Sequence, residues 1–162
     1  MTTESRLETL GLTLPAALKV PPHIKLSFAW TRVRGNRVYI SGQSALHADG
    51  TPAGPFGKVP SEVTLAQAEA AARHTALAIL GSLKRAIADL DRVSAWLMVS
   101  GMVNADPGYP HTTLVINGFS DLIVELYGEE IGHHARIAVG MAALPMNNAV
   151  VIAAEVEIDG LP

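Results

Sequence analysis

A long uncharged run late in the chain most constrains how it can fold. Residues 137–154 are 18 consecutive residues without a charge, which is long enough for a membrane-spanning helix. The middle of the run is turn chemistry, because Pro145 is followed closely by Asn147 and Asn148. The run therefore predicts two apolar strands, at about 134–144 and 149–158, joined by a turn.

Arg136 is the last charged residue before this run. A cation at the start of an apolar strand pair is either a solvated residue at a strand end or a receptor for an anion. As a receptor, its planar guanidinium suits a carboxylate, which it binds through two parallel hydrogen bonds. The residues alone leave both interpretations open.

The composition describes one folded domain. A chain of 162 residues, 49% hydrophobic and 17% charged, suits a single domain with a sizeable core. We expect this domain to span 1–162, with 1–24 as an N-terminal extension. The net charge of −3 argues against a nucleic-acid surface, which needs clustered lysine and arginine.

The absence of cysteine excludes disulfides, thiol catalysis and zinc–thiolate sites. The first residues are polar and acidic, and they include no apolar segment of the kind that a signal peptide carries. We therefore expect a cytoplasmic protein that has no membrane partner.

Periodicity and turn residues predict an α+β order of two strands, a helix, a strand, a helix and two strands. A short helix at 5–10, started by Ser5 and Glu8 at capping-box spacing, precedes them. The Gly35-Asn36 pair predicts the first hairpin turn. The predicted strands are 25–34, 37–41, 93–103, 134–144 and 149–158, and the predicted long helices are 61–89 and 113–127.

Alternation along the strands predicts that both faces of the sheet are apolar. Successive strand residues point to opposite faces. We expect two rows to face the helices: Ile137, Val139, Met141, Ala143; and Val150, Ile152, Ala154, Val156, Ile158. The opposite face would carry Arg136 and small or apolar residues, joined by Trp96 and Met98. A face this apolar predicts burial against other subunits.

The six histidines do not predict a metal site. His133 and His134 are adjacent, so on a strand they point to opposite faces, and the other four have no metal-ligand spacing. A histidine near Arg136 is either a proton donor or base near neutral pH, or a surface residue.

Four ordered segments carry a resemblance to a known family. They are the pattern R-L-x-x-L-G-L-x-L-P from Arg6, G-N-x-x-x-x-S-G-Q from Gly35, N-G-x-S-D-L from Asn117, and A-R-x-x-V-x-x-x-x-L-P from Ala135. Together they resemble the YjgF/RidA family of reactive-intermediate deaminases, formerly called L-PSP endoribonucleases. The resemblance covers nearly the whole chain and is closest to a long-chain subgroup.

The resemblance implies a chorismate-mutase-like fold, with a single-layer mixed sheet and two helices on one face. It also implies a homotrimer with clefts between subunits that bind a small carboxylate ligand. The implied chemistry is hydrolysis of 2-imino or 2-enamino acids to 2-oxo acids and ammonia, without a cofactor or metal.

Six residues fall on positions that line the cleft in the resembled family. Arg136 matches the carboxylate-binding arginine. The other five are Ser41, Gly42, Asn117, Phe28 and Val151. For Ser41 and Gly42 the alternative is an ordinary strand-ending turn, and for Asn117 a structural hydrogen bond.

Two of the six depart from the family pattern. The deaminases have a glutamate that positions water where this chain has Val151, and a tyrosine where it has Phe28. Valine cannot accept or donate a proton, so acid–base help at this position is lost. No catalytic residue is assigned for this reason.

Three functions follow from these residues as hypotheses. The first is a Rid-type hydrolase that acts on imino or enamino acids. The second is a non-catalytic trimer that binds or senses small acids, which the loss of the glutamate favours. The third and most remote is an endoribonuclease, against which the acidic net charge counts.

Overall fold

A computed structural model describes residues 1–160 of the chain. Its elements follow the predicted order, with three α-helices, five strands and two short 3₁₀ turns. The helices are α1 (Thr3–Thr9), α2 (Leu65–Ile87) and α3 (Thr112–Gly132). The strands are β1 (Thr31–Arg34), β2 (Arg37–Gln43), β3 (Val93–Asn104), β4 (Ala135–Met141) and β5 (Val150–Ile158).

The strands form one mixed sheet in the order β1-β2-β5-β3-β4. Only the β3–β4 pair is parallel, and it is joined by α3, while the other neighbours pair antiparallel. Helices α2 and α3 pack against each other and against the sheet. The α+β single-sheet prediction is therefore confirmed, and β4 and β1 are the two sheet edges.

Local capping chemistry places the helix starts differently from the predictions. The side chain of Thr2, not Ser5, caps α1 by accepting from the Ser5 amide. Helix α2 begins after Thr64, which forms a capping box with Gln67, rather than at 61. Both caps leave the predicted helices in place and move only their ends.

The first strand is much shorter than predicted. Pairing in the hairpin runs from Arg34 opposite Arg37 to Thr31 opposite Ile40. Beyond Ile40 the register of β2 with β5 is irregular. The predicted strand at 25–34 is reduced to four residues, and just beyond them the Ser41 amide still donates to the Trp30 carbonyl at 3.0 Å.

One face of the sheet packs on the helices as the alternation predicted for the last strand. The five predicted β5 residues, Val150 to Ile158 at alternate positions, are all buried in the core. The intervening Glu155 and Glu157 are half-buried on the other face.

The predicted orientation of β4 is wrong. Ala138 packs against the core, and Arg136 bonds to α3. The other row points outward, with Ile137, Val139 and Met141 exposed at 48%, 40% and 38%. Helix α3 lies too close for the large residues, since Thr112 at its start donates to the Ala138 carbonyl at 3.0 Å.

Trp96 is also on the opposite side from the prediction. It is 2% exposed and packs edge-to-face on Phe119 and Tyr127 of α3. Register shifts on either side of it, between Val93 and Ala95 and between Trp96 and Met98, reset the alternation of β3. The prediction failed because it assumed a regular strand.

The N-terminal segment is tied to the body of the protein. The Thr3 amide and hydroxyl both donate to the Asp91 carboxylate, at 2.8 and 2.7 Å. Arg6 donates to the Leu126 carbonyl, and Glu4 pairs with Lys84 of α2. Across residues 1–160, none of the helices combines the length and apolarity needed to cross a membrane.

Candidate functional site

Arg136 stands at the start of edge strand β4 and points toward α3. Its Nη1 donates to Asn117 Oδ1 and to Ser120 Oγ, each at 3.0 Å. Its Nη2 makes a longer contact of 3.4 Å with the Thr113 carbonyl. One end of the guanidinium is therefore fixed by acceptors on a single helix.

The N-G-x-S segment of α3 explains why the helix can hold this arginine. Asn117 and Ser120 are three residues apart, so they share one helix face. Between them, Gly118 faces α2, where an added Cβ would lie 2.1 Å from the Glu69 carbonyl oxygen. The glycine lets the two helices approach closely while its neighbours bind Arg136.

His134 extends the network from Ser120. Its Nδ1 lies 2.7 Å from the Gly132 carbonyl, and its Nε2 lies 2.9 Å from Ser120 Oγ. Because a carbonyl can only accept, Nδ1 carries the proton, and in the neutral ring Nε2 accepts from the Ser120 hydroxyl. The hydroxyl then accepts from Arg136 and donates to His134.

Partial burial shifts the pKa values of both basic groups in this cluster. Desolvation lowers the pKa of His134 below its usual value, and the nearby charge of Arg136 lowers it further. Desolvation also lowers the pKa of Arg136, while Asp121 opposes the shift. Arginine stays charged despite such a shift, so the cluster holds one cation beside a neutral imidazole.

Arg136 keeps donors for an outside ligand. Within residues 1–160 it forms no ion pair with a carboxylate, and its Nε donates to no group there. A guanidinium has five N–H donors in a fixed fork. Its Nε and Nη2 edge can therefore receive the two oxygens of a carboxylate.

The other predicted site residues lie around β2 and β5. Gly42 falls in the register break of β2, and an added Cβ there would lie 2.9 Å from a Val151 methyl. Ser41 is committed to the chain before β1, since its hydroxyl donates to the Ala29 carbonyl at 2.7 Å. Phe28 is 54% exposed and stacks edge-to-face on Trp30, with ring centroids 5.0 Å apart.

A match to a sequence profile identifies the protein family of this chain. The sequence profile described as "YjgF/chorismate mutase-like, putative endoribonuclease" matches residues 4–158. The chain belongs to the YjgF/chorismate-mutase-like family. The recognition made from its sequence patterns is thereby confirmed.

Several members of the YjgF family are similar along nearly their whole length. Protein TCP17 of Trypanosoma cruzi is 36% identical over 155 residues, which are 96% of this chain and 93% of that protein. The structure of Atu1372 from Agrobacterium tumefaciens, titled as a protein with unknown function, is 39% identical. The structural match covers 98% of this chain and 93% of the Atu1372 chain, with a TM-score of 0.86.

RidA from Psychrobacter sp. PAMC 21119 shares the fold at greater distance. It is 23% identical, covers 89% of this chain and 93% of its own, and has a TM-score of 0.52. At this identity the likeness supports the chorismate-mutase-like YjgF fold and carries no residue roles.

One YjgF chain brings only some of the six residues together. Arg136 and Asn117 bond directly, and Gly42 and Val151 are in contact. Strands β5 and β3 separate β2 from β4, which at the usual strand spacing is roughly 14 Å. The arginine half and the Gly42 half of the expected cleft therefore lie apart within one chain.

The outward carboxylate nearest along β5 is already paired. Glu155 bonds to Arg37 at 2.8 Å. It lines a concavity of about 310 Å³ on the outward face of the sheet, together with Ser41, Tyr39 and Arg32. Glu155 does not contact Val151, so the structure gives it no direct role in replacing the family glutamate.

Sequence reasoning missed Ser120 and left the role of a nearby histidine open. The signal for Ser120 was present, because it follows Asn117 by three residues on a helix. The contact of His134 with Ser120 depends on how β4 meets α3, which no local pattern shows. In the described part of the chain, no group of three or more His, Cys, Asp or Glu residues could hold a metal ion.

Proposed function

We propose that this YjgF-family protein forms a homotrimer whose inter-subunit clefts bind small 2-oxo and 2-imino acids through Arg136. In these clefts it accelerates hydrolysis of the imino acids. The reaction adds water across the carbon–nitrogen double bond and expels ammonia, leaving a 2-oxo acid. The observation that carries the proposal is the fixed Arg136 guanidinium, with an edge free for a carboxylate.

The outward face of the sheet supports assembly from several chains. Ile137, Val139 and Met141 form an exposed apolar row on β4, beside Met98 and Met102 of β3, which are half-buried. A contiguous apolar face of this kind favours burial against another protein surface. A second subunit on this face is also the simplest way for the Gly42 half to meet the arginine half.

The chemistry asks little of the protein beyond positioning. Imines hydrolyse in water, and holding the carboxylate fixes the reacting carbon relative to solvent. The Ser120 hydroxyl and neutral His134 lie next to Arg136 and offer a route for protons. No step requires a carboxylate at position 151.

The direct test is the disappearance of a 2-imino acid generated in place by an amino-acid oxidase. We expect the wild-type protein to exceed the buffer rate, and Arg136→Ala to fall to it. The matched control is Arg73→Ala, which removes a surface cation paired with Glu125 and should keep the wild-type rate. Equal rates for wild type, Arg136→Ala and buffer would refute the enzyme.

A binding or sensing trimer is the second candidate, and the valine at 151 favours it. Its side chain contacts Gly42 and is 9% exposed, so no acid–base group reaches this wall of the expected cleft. This candidate predicts saturable binding of 2-oxo acids that requires Arg136, without turnover of imino acids. Turnover that depends on Arg136 would exclude it.

The family description names endoribonucleases, so RNA cleavage by the protein itself has to be distinguished from cleavage by a contaminating nuclease. Ribonuclease activity would have to persist through purification and respond to a change in the site. We expect any RNA cleavage in a preparation to be the same in wild type and Arg136→Ala. A loss of cleavage in the variant alone would favour a nuclease instead.

A further inference from the structure

A cavity next to β2 has no Arg136 in its lining, and it shares Gly42 and Val151 with the expected cleft. Its volume is about 120 Å³, whereas a single water needs roughly 10–15 Å³ measured this way. The walls are mostly apolar. The apolar lining includes Leu18, Trp30, Leu46, Met146 and Val151, and the polar lining includes Gln43, Ser82 and Arg85.

Gln43 places an unused donor in this cavity. The residue is 8% exposed, and its Nε2 has no hydrogen-bond partner within residues 1–160. Its Oε1 accepts from the Ser82 hydroxyl at 3.1 Å. A buried amide nitrogen without a partner costs roughly 1–3 kcal/mol, so an acceptor at this point would be stabilising.

The Ser82 hydroxyl favours the orientation of the Gln43 amide that leaves Nε2 free. Ser82 Oγ already accepts from Arg85 Nη2 at 3.1 Å, so its own proton is free to donate. Turning the amide over would place two N–H groups on Ser82 Oγ and leave the hydroxyl proton unused. The free group is therefore the donor Nε2, which selects an acceptor as its ligand.

Arg85 adds a cation at the same wall. Its other contact is with the Pro15 carbonyl at 3.2 Å. In the part of the chain that the structure describes, it forms no ion pair with an acidic group. The guanidinium donates two hydrogen bonds to neutral oxygens, and its remaining N–H groups can bind an anion.

We propose that this cavity is a second ligand site, which binds a short aliphatic monocarboxylate. One carboxylate oxygen accepts from Gln43 Nε2, and the head group lies against Arg85. The alkyl chain lies among Leu18, Leu46 and Met146. The head group contacts Gln43 and Arg85 and not Arg136, so the site goes beyond the function proposed above, although Gly42 and Val151 line both the cavity and the expected cleft.

Trp30 makes the proposal measurable. The chain has two tryptophans: Trp30 lines the cavity, and Trp96 is in the core at 2% exposed. Bromine quenches indole fluorescence on contact, so 5-bromopentanoate in the cavity should quench Trp30 in a saturable way. Unlabelled pentanoate should relieve the quenching, and pentanol should relieve it much less, because it has no charge for Arg85.

Variants locate the quenching site. We expect Arg85→Gln and Gln43→Leu each to weaken binding about tenfold or more, the size of one lost charge-assisted or buried hydrogen bond. Arg73→Gln, the same change elsewhere on α2, should leave it unchanged, and so should Arg136→Ala. Thermal melts identify any variant that fails to fold. If Gln43→Leu does not fold, Arg85→Gln alone tests the site.

Three results would overturn the second site. They are no saturable quenching of the wild type, quenching that Arg85→Gln and Arg73→Gln affect equally, or quenching abolished by Arg136→Ala and retained in Arg85→Gln. The third result would place the acid in the cleft and support the proposed function while removing this inference. If the protein does not hydrolyse imino acids but the quenching is intact, the second site is supported and the proposed hydrolase is excluded.

Discussion

At the scale of single residues, the cluster around Arg136 depends on the charge state of one histidine. His134 can accept from Ser120 only while its Nε2 is unprotonated. Protonation would turn that nitrogen into a donor and place a second cation beside Arg136. The same Ser120 hydroxyl would then lose its acceptor, and the anchor of the arginine would loosen.

The lowered pKa of His134 predicts a pH dependence of stability. The unfolded chain takes up a proton near the ordinary value of 6.5, while the folded chain resists it to lower pH. The contribution of His134 to folding is therefore fully present above 6.5 and is lost as pH falls toward the folded-state pKa. Melting temperatures measured across this range should fall less in His134→Gln than in wild type.

The neighbouring histidine is the control for that measurement. His133 is exposed, and its side chain takes no part in the hydrogen bonds that join His134, Ser120 and Arg136. His133→Gln should therefore keep the wild-type fall in melting temperature. If both variants behave like wild type, His134 is not the group that links stability to pH.

At the scale of elements, the close approach of α2 and α3 positions the site. Gly118 allows this approach, because any Cβ there would collide with the Glu69 backbone at 2.1 Å. Backbone atoms cannot move aside as a flexible side chain can. The helix that presents Asn117 and Ser120 to Arg136 therefore depends on a glycine between them.

Gly118→Ala should lower stability by about 1–3 kcal/mol or more, as overpacking in a core does. Since the helix would have to shift, binding at Arg136 should weaken as well. The comparison is Gly140→Ala, whose added Cβ would meet side chains and not backbone: Ala105 Cβ at 3.1 Å and a Thr112 methyl at 3.8 Å. Denaturant unfolding measures both changes. An equal effect of the two substitutions would contradict the packing argument.

Element order and the β5 core row could be predicted from sequence, whereas two strand orientations could not. In β4 both alternating rows are uncharged after Arg136, so their pattern does not say which row faces the helices. The small row of Ala138 and Gly140 faces inward, since α3 lies close. In β3, bulges around Trp96 change which residues face the helices, and no sequence pattern there predicts these bulges.

The candidate site shows the same division. The family resemblance pointed to Arg136 and Asn117, which bond directly in the structure. Ser120 and His134 join them only through the meeting of α3 and β4. The resemblance also assigned Gly42 and Val151 to the same cleft, but within one chain two strands separate β2 from β4 and one separates β5 from β4.

At the scale of the whole molecule, the proposed trimer needs the outward face of the sheet as an interface between subunits. Val139 lies in the middle of the exposed apolar row and is 40% exposed. A glutamate there would put a charge into a subunit contact without disturbing the core of one chain. Val139→Glu should therefore convert the expected trimer into monomers, as measured by light scattering after gel filtration.

Leu10→Glu is the control for the interface prediction. Leu10 follows α1 and is exposed to a similar degree, 38%. It lies outside the sheet, so the variant should keep the wild-type mass. A wild-type protein that is monomeric, or a Val139→Glu variant that remains trimeric, would contradict the assembly.

Carboxylate binding by Arg136 is common to the hydrolase and to the sensing trimer, so it is the central claim. Calorimetric titration of pyruvate and longer 2-oxo acids into wild type, Arg136→Gln and Arg73→Gln tests it most directly. We expect saturable binding that Arg136→Gln weakens at least about tenfold and Arg73→Gln leaves intact. Binding that survives in Arg136→Gln at wild-type strength, or no binding to the wild type, would contradict it.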